Sequence, residues 1–261
     1  MSKSESVGGY GHRQQNRNSV SPSETGDARP SAWRSALFGS AATGAMILAM
    51  GAPAWGACVT NGTTLDCSGN LSSGIDIAET DSIDTLNVSG VTGDIAPTEG
   101  TSGIRFLSNG AVTIESNTGA HAIHATGDGA DGIKAQSYED GDENIGDIAI
   151  HHTGAVKSDD GFGVWAETDG AITLTTNGAI EAGKDAINLH GTMGGAITID
   201  VTSDLTSTGG AGIAASTNGG ISEVSVGDIN AATDGIALQS FETGTVSVDH
   251  TGDIDALGGH G

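Results

Sequence analysis

Positive charge is almost missing from this chain. Nine Lys and Arg stand against 33 Asp and Glu, for a formal net charge of −24 at pH 7. Nucleic acid and anionic membrane surfaces select Lys and Arg, so neither is a suitable main partner for so acidic a chain. Proline is scarce too, at 4 of 261 residues, so the 43 glycines cannot belong to a collagen-like triple helix. Aromatic residues make up only 3 %, and cysteine occurs twice, which excludes a disulfide-dense scaffold. No window keeps apolar residues at i, i+3, i+4 and i+7 for two turns, which argues against amphipathic helices. What remains is Ile, Val, Leu and Ala set among glycine and small polar residues.

The few cations are unevenly placed. Lys3, Arg13, Arg17, Arg29 and Arg34 fall near the start, and Arg105, Lys134, Lys157 and Lys184 are the rest. Arg29 and Arg34 flank "SALFGSAATGAMILAMGAPA", residues 35–54, whose apolar part from Ala36 to Met50 has the length of a signal-peptide core. Ala52-Pro53-Ala54 and Ala54-Trp55-Gly56 both offer small-x-small cleavage sites. A membrane anchor would need about 20 apolar residues, and this stretch is shorter and interrupted by glycine. Residues 1–54 are therefore expected to be a long polar leader and signal peptide that export the chain. Cys58 and Cys67 follow directly in "CVTNGTTLDC". In an exported chain they predict one disulfide across a hairpin turning at Asn61-Gly62, a cap over residues 55–67.

From Ser68 to the end, three apolar pairs recur in a fixed order. The first kind includes Val156 with Ser158, Ile180 with Ala182, Leu205 with Ser207 and Ile229 with Ala231. The second kind is read as following a glycine, as in Ile104 with Phe106, Ile133 with Ala135 and Val164 with Ala166, and includes Ile187 with Leu189. The third includes Val112 with Ile114, Ile172 with Leu174, Ile197 with Ile199, Val224 with Val226 and Val246 with Val248. From Val156 onward the first-pair anchors lie 24, 25, 24 and 25 residues apart. Spacing of two within each pair is that of a strand with one buried face, and a period near 25 with three short strands is that of a solenoid. The expectation is an all-β fold, a right-handed parallel β-helix over residues 68–261 with three short strands per coil. Inward side chains would stack as ladders, and Thr113, Thr173, Thr198, Ser225 and Ser247 would face outward from the third strand.

Two places break the rhythm. "GAHAIHATGDGADG" lengthens one corner, with Ile123 and Ala125 as its strand, and "QSYEDGDEN" at 136–144 adds a loop. Asp140, Asp142 and Glu143 in that loop form a weak Ca²⁺ candidate, since hard cations want several oxygens; otherwise no metal or cofactor is expected. The second place is a column: Arg105, Lys134, Trp165 and Asn188 fall on the outward side of successive second strands, a possible surface for a glycan or protein receptor.

Catalysis on this scaffold would call for clustered carboxylates with a His and a basic residue. Asp159-Asp160 and His190-Gly191 are present, but no Asn-Thr-Asp or Arg-x-Lys completes a polygalacturonase-like set. A lyase would need Arg or Lys as base, and few are available. His151-His152 ends a third strand whose alternation turns one of the two inward, and both are read as non-catalytic surface histidines.

The order of signal peptide, Cys hairpin and "CSGNLSSGI" leading into β-solenoid repeats resembles the N-terminal part of a Gram-negative autotransporter passenger. The resemblance implies passage through the export machinery, display on or release from the cell surface, and work as a monomeric adhesin or structural stalk. It also implies a translocator β-barrel as partner, which such proteins carry at their C-terminus. Here the sequence stops in a coil at "TGDIDALGGHG", as expected of a fragment or a shortened frame. The competing expectation is a β-helical polysaccharide hydrolase or lyase.

Overall fold

In the computed structural model, residues 56–137, 146–242 and 244–260 are described. The expected leader and signal peptide, and Asp140, Asp142 and Glu143, lie outside them. The described residues form strands and turns without a helix, wound into a parallel β-solenoid of about seven coils. One sheet of seven strands holds every second-position strand, from Ile75–Ile77 to Ile236–Ser240. A 13-stranded sheet holds the third- and first-position strands, because Val112–Ala125 and Ile148–Ser158 each run through the corner between the two.

The register explains why the sequence repeats. Ile104, Ile133, Val164, Ile187, Ile213 and Ile236 pair rung to rung down the second sheet. Val156, Ile180, Leu205, Ile229 and Ile254 do the same on the first strands. Each coil offers only a few inward side chains, and burial comes from the coils above and below it. Full burial of one such side chain is worth roughly 1.5–3 kcal/mol, so stability accumulates coil by coil. The filling is complementary: Phe106, fully buried, faces Ala135 in the next rung, where a larger side chain would collide.

Corners are held by side chains that link one coil to the next. The Asp185 carboxylate accepts the Ala211 N–H at 2.7 Å, and Asp131 accepts the Phe162 N–H at 3.0 Å. Another corner repeats the device: Asp204 accepts from the Asp228 N–H at 2.9 Å, and Asp228 from the Asp253 N–H at 3.0 Å. Part of the large negative charge is therefore architectural. Hydroxyls do similar work: Thr217 Oγ1 donates to the Gly195 carbonyl and accepts the Gly219 N–H at 3.0 Å. At Gly178, φ is +144° and a Cβ would strike the Gly154 carbonyl oxygen of the coil below, so only glycine fits.

The hairpin is continuous with the solenoid. Strand β1 (Ala57–Asn61) pairs antiparallel with β2 (Thr64–Gly69), and Cys58 and Cys67 face each other and form the disulfide. Its turn falls on Gly62-Thr63, one residue later than expected, with Gly62 at φ +64°. β2 pairs in parallel with Thr85–Val91, which makes it the first third-position rung of the 13-stranded sheet, and β1 covers that rung's outer edge. At the other end the inward Val246 and Val248 are 46 % and 50 % exposed, having no described coil beyond them.

The third strand of one coil corrects the sequence reading. In Ile221–Val226 the inward residues are Ile221, Glu223 and Ser225, whereas Val224 and Val226 face outward. Glu223 pairs with Ile199 and Val248 in an otherwise aliphatic ladder, and Ser222, not Ser225, continues the outward Thr and Ser column. The corners dictate this. From Ile148 onward the first inward residue of the third strand stands eight positions before the following first-strand anchor, as Ile172 before Ile180, Ile197 before Leu205 and Ile221 before Ile229. Shifting by one residue to bury the valines would break the corner ties on both sides.

Candidate functional site

The second sheet carries the chain's most distinctive outer surface. Alternation along each short strand turns one residue in and the next out, and parallel stacking then brings equivalent outward residues side by side. Asp76, Arg105, Lys134, Trp165 and Asn188 occupy consecutive rungs in register, as the sequence predicts for the last four. On the next two rungs the column falls to Ala214 and Ala237. A parallel polar column runs beside it through Gln136, Glu167, His190, Ser216 and Gln239.

Contacts tie these residues together. Arg105 meets Asp76 at 2.7 Å, and Lys134 Nζ lies 4.6 Å from the centre of the Trp165 ring. Lys134 also comes within 3.9 Å of Asp131, whose side chain is only 6 % exposed. Lys184, on the neighbouring corner, lies 5.3 Å from the Phe162 ring. Burial holds the Asp131 carboxyl above its ordinary pKa, against the pull of the Phe162 N–H, Lys134 and Lys184. One buried acid thus attracts two cations, each seated over an aromatic ring, an arrangement worth about 0.5–1 kcal/mol per pair at exposed sites. Three of the four Lys and Arg among the described residues gather here. Sequence reading found the column but not Asp131 and Phe162, which stand three positions before Lys134 and Trp165, nor Lys184, which meets the Phe162 ring from the next coil.

Two depressions flank Trp165. One, of about 230 Å³, is lined by Asp76, Arg105, Lys134 and the corner residues Gly100, Thr101 and Ser102. The other, of about 430 Å³, begins at Asn188 and runs over Ala214 and Ala237 beside Ser216 and Gln239.

The residues weighed for catalysis are not brought together. Asp159 follows strand Ile148–Ser158 of the 13-stranded sheet and lies 3.3 Å from His124 and 3.5 Å from Lys157. The hydrogen bond from His124 holds its carboxyl below the usual carboxylate range. His190 sits on the second sheet, 3.5 Å from Glu167. His151 is half-buried on the outer face of the third-position part of Ile148–Ser158, while His152, expected at the surface, is buried at 3 % exposure with neither ring nitrogen hydrogen-bonded. Strand alternation from the inward Ile148 and Ile150 places it there. Burial pulls its pKa down to about 4, opposed by a contact with the Gly154 backbone that falls short of a hydrogen bond. No group of His, Cys, Asp and Glu able to hold a metal occurs among the described residues.

Together these features define a parallel β-solenoid with one cationic and aromatic face on an acidic body. Compared with known protein families, curated proteins and solved structures, the chain finds no match.

Proposed function

We propose that this chain is an exported β-solenoid of the autotransporter-passenger kind, structural or adhesive rather than catalytic, that presents its second sheet to a partner at the cell surface. The observation that carries the reading is the concentration of cations and aromatics on one outward face of an otherwise acidic, regularly repeating rod. A rod built of stacked coils sets binding residues on a rigid face at fixed intervals. The Cys58–Cys67 disulfide supports export, because such bonds persist in oxidising compartments. Among the described residues no helix is long and apolar enough to cross a membrane. The separation of Asp159 and His190 onto different sheets supports a non-catalytic role over polysaccharide cleavage.

The test is to express the full chain in a Gram-negative host together with a translocator barrel and follow it by fractionation and protease accessibility. The expected result is oxidised, surface-accessible protein that increases adhesion of the cells to glycan- or protein-coated surfaces. Reduced protein retained in the cytoplasm would overturn the reading. So would new reducing ends or unsaturated products appearing when purified protein meets acidic or neutral polysaccharides.

A further inference from the structure

We infer that the outer face of the second sheet binds an acidic polysaccharide laid along the solenoid axis, with a sugar ring against Trp165 and its carboxylates at Lys134 and Arg105. The inference rests on the adhesive reading above and names the ligand class.

Charge is the first argument. In a chain of net charge −24, cations kept together on one face mark a place built for an anion. Their present partners leave them available. The Arg105–Asp76 pair is exposed, at 38 % and 64 %, and such solvated pairs add little stability, so a ligand carboxylate can replace Asp76. Lys134, 3.9 Å from Asp131, keeps ammonium protons free to donate.

Shape is the second. From Arg105 to Ala237 the column spans five rung intervals, about 24 Å at strand spacing, enough for several saccharide units. Trp165 stands between the cationic depression and the trough over Ala214 and Ala237, and the trough's 430 Å³ lies within the range of small-ligand pockets. The adjoining amides and hydroxyls of Asn188, Ser216 and Gln239 suit sugar hydroxyls, which want both donors and acceptors. An anionic bilayer fits poorly, because the rest of the acidic rod would be repelled by it.

The experiment uses the full chain carrying Trp33→Phe and Trp55→Phe, so that Trp165 is the sole tryptophan. Titration with polygalacturonate is expected to change its emission saturably, and dextran of matched length to leave it unchanged. Lys134→Ala or Lys134→Gln should raise the dissociation constant at least about tenfold with the thermal midpoint retained, the loss of one charge-assisted contact. Lys157→Ala, on the 13-stranded sheet, should have no effect. No saturable change, an equal response to dextran, equal weakening by Lys157→Ala, or equal binding of polyglutamate overturns the assignment. Adhesion that persists in cells displaying Lys134→Ala refutes this ligand and leaves the adhesive reading standing. Absence of adhesion by the unaltered chain refutes that reading whatever polygalacturonate does.

Discussion

Glu223 occupies, inside the solenoid, the position that Ile199 holds one coil earlier. It is 1 % exposed, neither carboxylate oxygen has a hydrogen-bond partner, and burial raises its pKa above the ordinary 4.5 against the influence of nearby Ser225 and His250. Ser225 Oγ lies 2.7 Å from His250 Nδ1 on the next rung, so the polar side chains of this coil cluster together inside the fold.

Replacing Glu223 with Leu should stabilise the protein by about 1–3 kcal/mol, because an aliphatic side chain restores the ladder and removes a buried unpaired carboxyl. The sign of the pH effect follows from the raised pKa. As pH rises, the unfolded chain loses this proton before the folded one does. The contribution of Glu223 is therefore fully present below about 4.5 and is lost as pH climbs through the higher folded value. Thermal midpoints of wild type and Glu223→Gln across acidic pH check this: the gap between them should widen with rising pH, and a constant gap would show that the carboxyl does not titrate differently in the fold.

His152 acts in the opposite pH sense. It packs inside between Ser116 and Thr176 on adjacent rungs and stays neutral down to about pH 4, whereas the unfolded chain takes up its proton near 6.5. Stability should therefore be complete above 6.5 and fall as pH drops towards 4, by up to about 3 kcal/mol at about 1.4 kcal/mol per pH unit. His152→Val should flatten this dependence and raise the midpoint at pH 5. Urea titrations at pH 7 and pH 5 measure both effects, and an unchanged slope in the variant would place the proton uptake elsewhere.

Asp185 tests the corner ties. One carboxylate oxygen accepts the Ala211 N–H at 2.7 Å and the other accepts Asn188 Nδ2 at 2.6 Å. Asp185→Ala leaves the Ala211 amide without its partner in a buried position and should cost about 1–3 kcal/mol. Asp185→Asn retains an acceptor oxygen and should cost less. Denaturant unfolding separates the two, and equal losses would mean that charge, rather than the hydrogen bond, holds the corner.

Much of the architecture was legible in the chain. The i, i+2 pairs, their order and their constant period specify three strands per coil and parallel stacking, because only neighbouring coils can bury side chains presented so sparsely. The Arg105–Lys134–Trp165–Asn188 column was legible for the same reason, since a strand period of two, repeated in register, fixes which residues become neighbours; the disulfide was legible because two cysteines flank a hairpin turn in a chain read as exported. The inward place of Glu223 was missed because Val224 and Val226 looked like the apolar pair. There the eight-residue interval to Ile229 was the better guide, since corner hydrogen bonds leave no freedom to slip by one residue.

The sequence by itself determined the repeat, and through it the sheets and their ladders. The tertiary structure alone decided how the corners meet. Asp131, Phe162 and Lys184 lie on three successive coils, and only winding brings the Phe162 N–H to the Asp131 carboxylate and Lys184 over the Phe162 ring. Local periodicity sets each strand's faces, but the approach of side chains across a corner depends on coil height and turn geometry, which no single segment encodes.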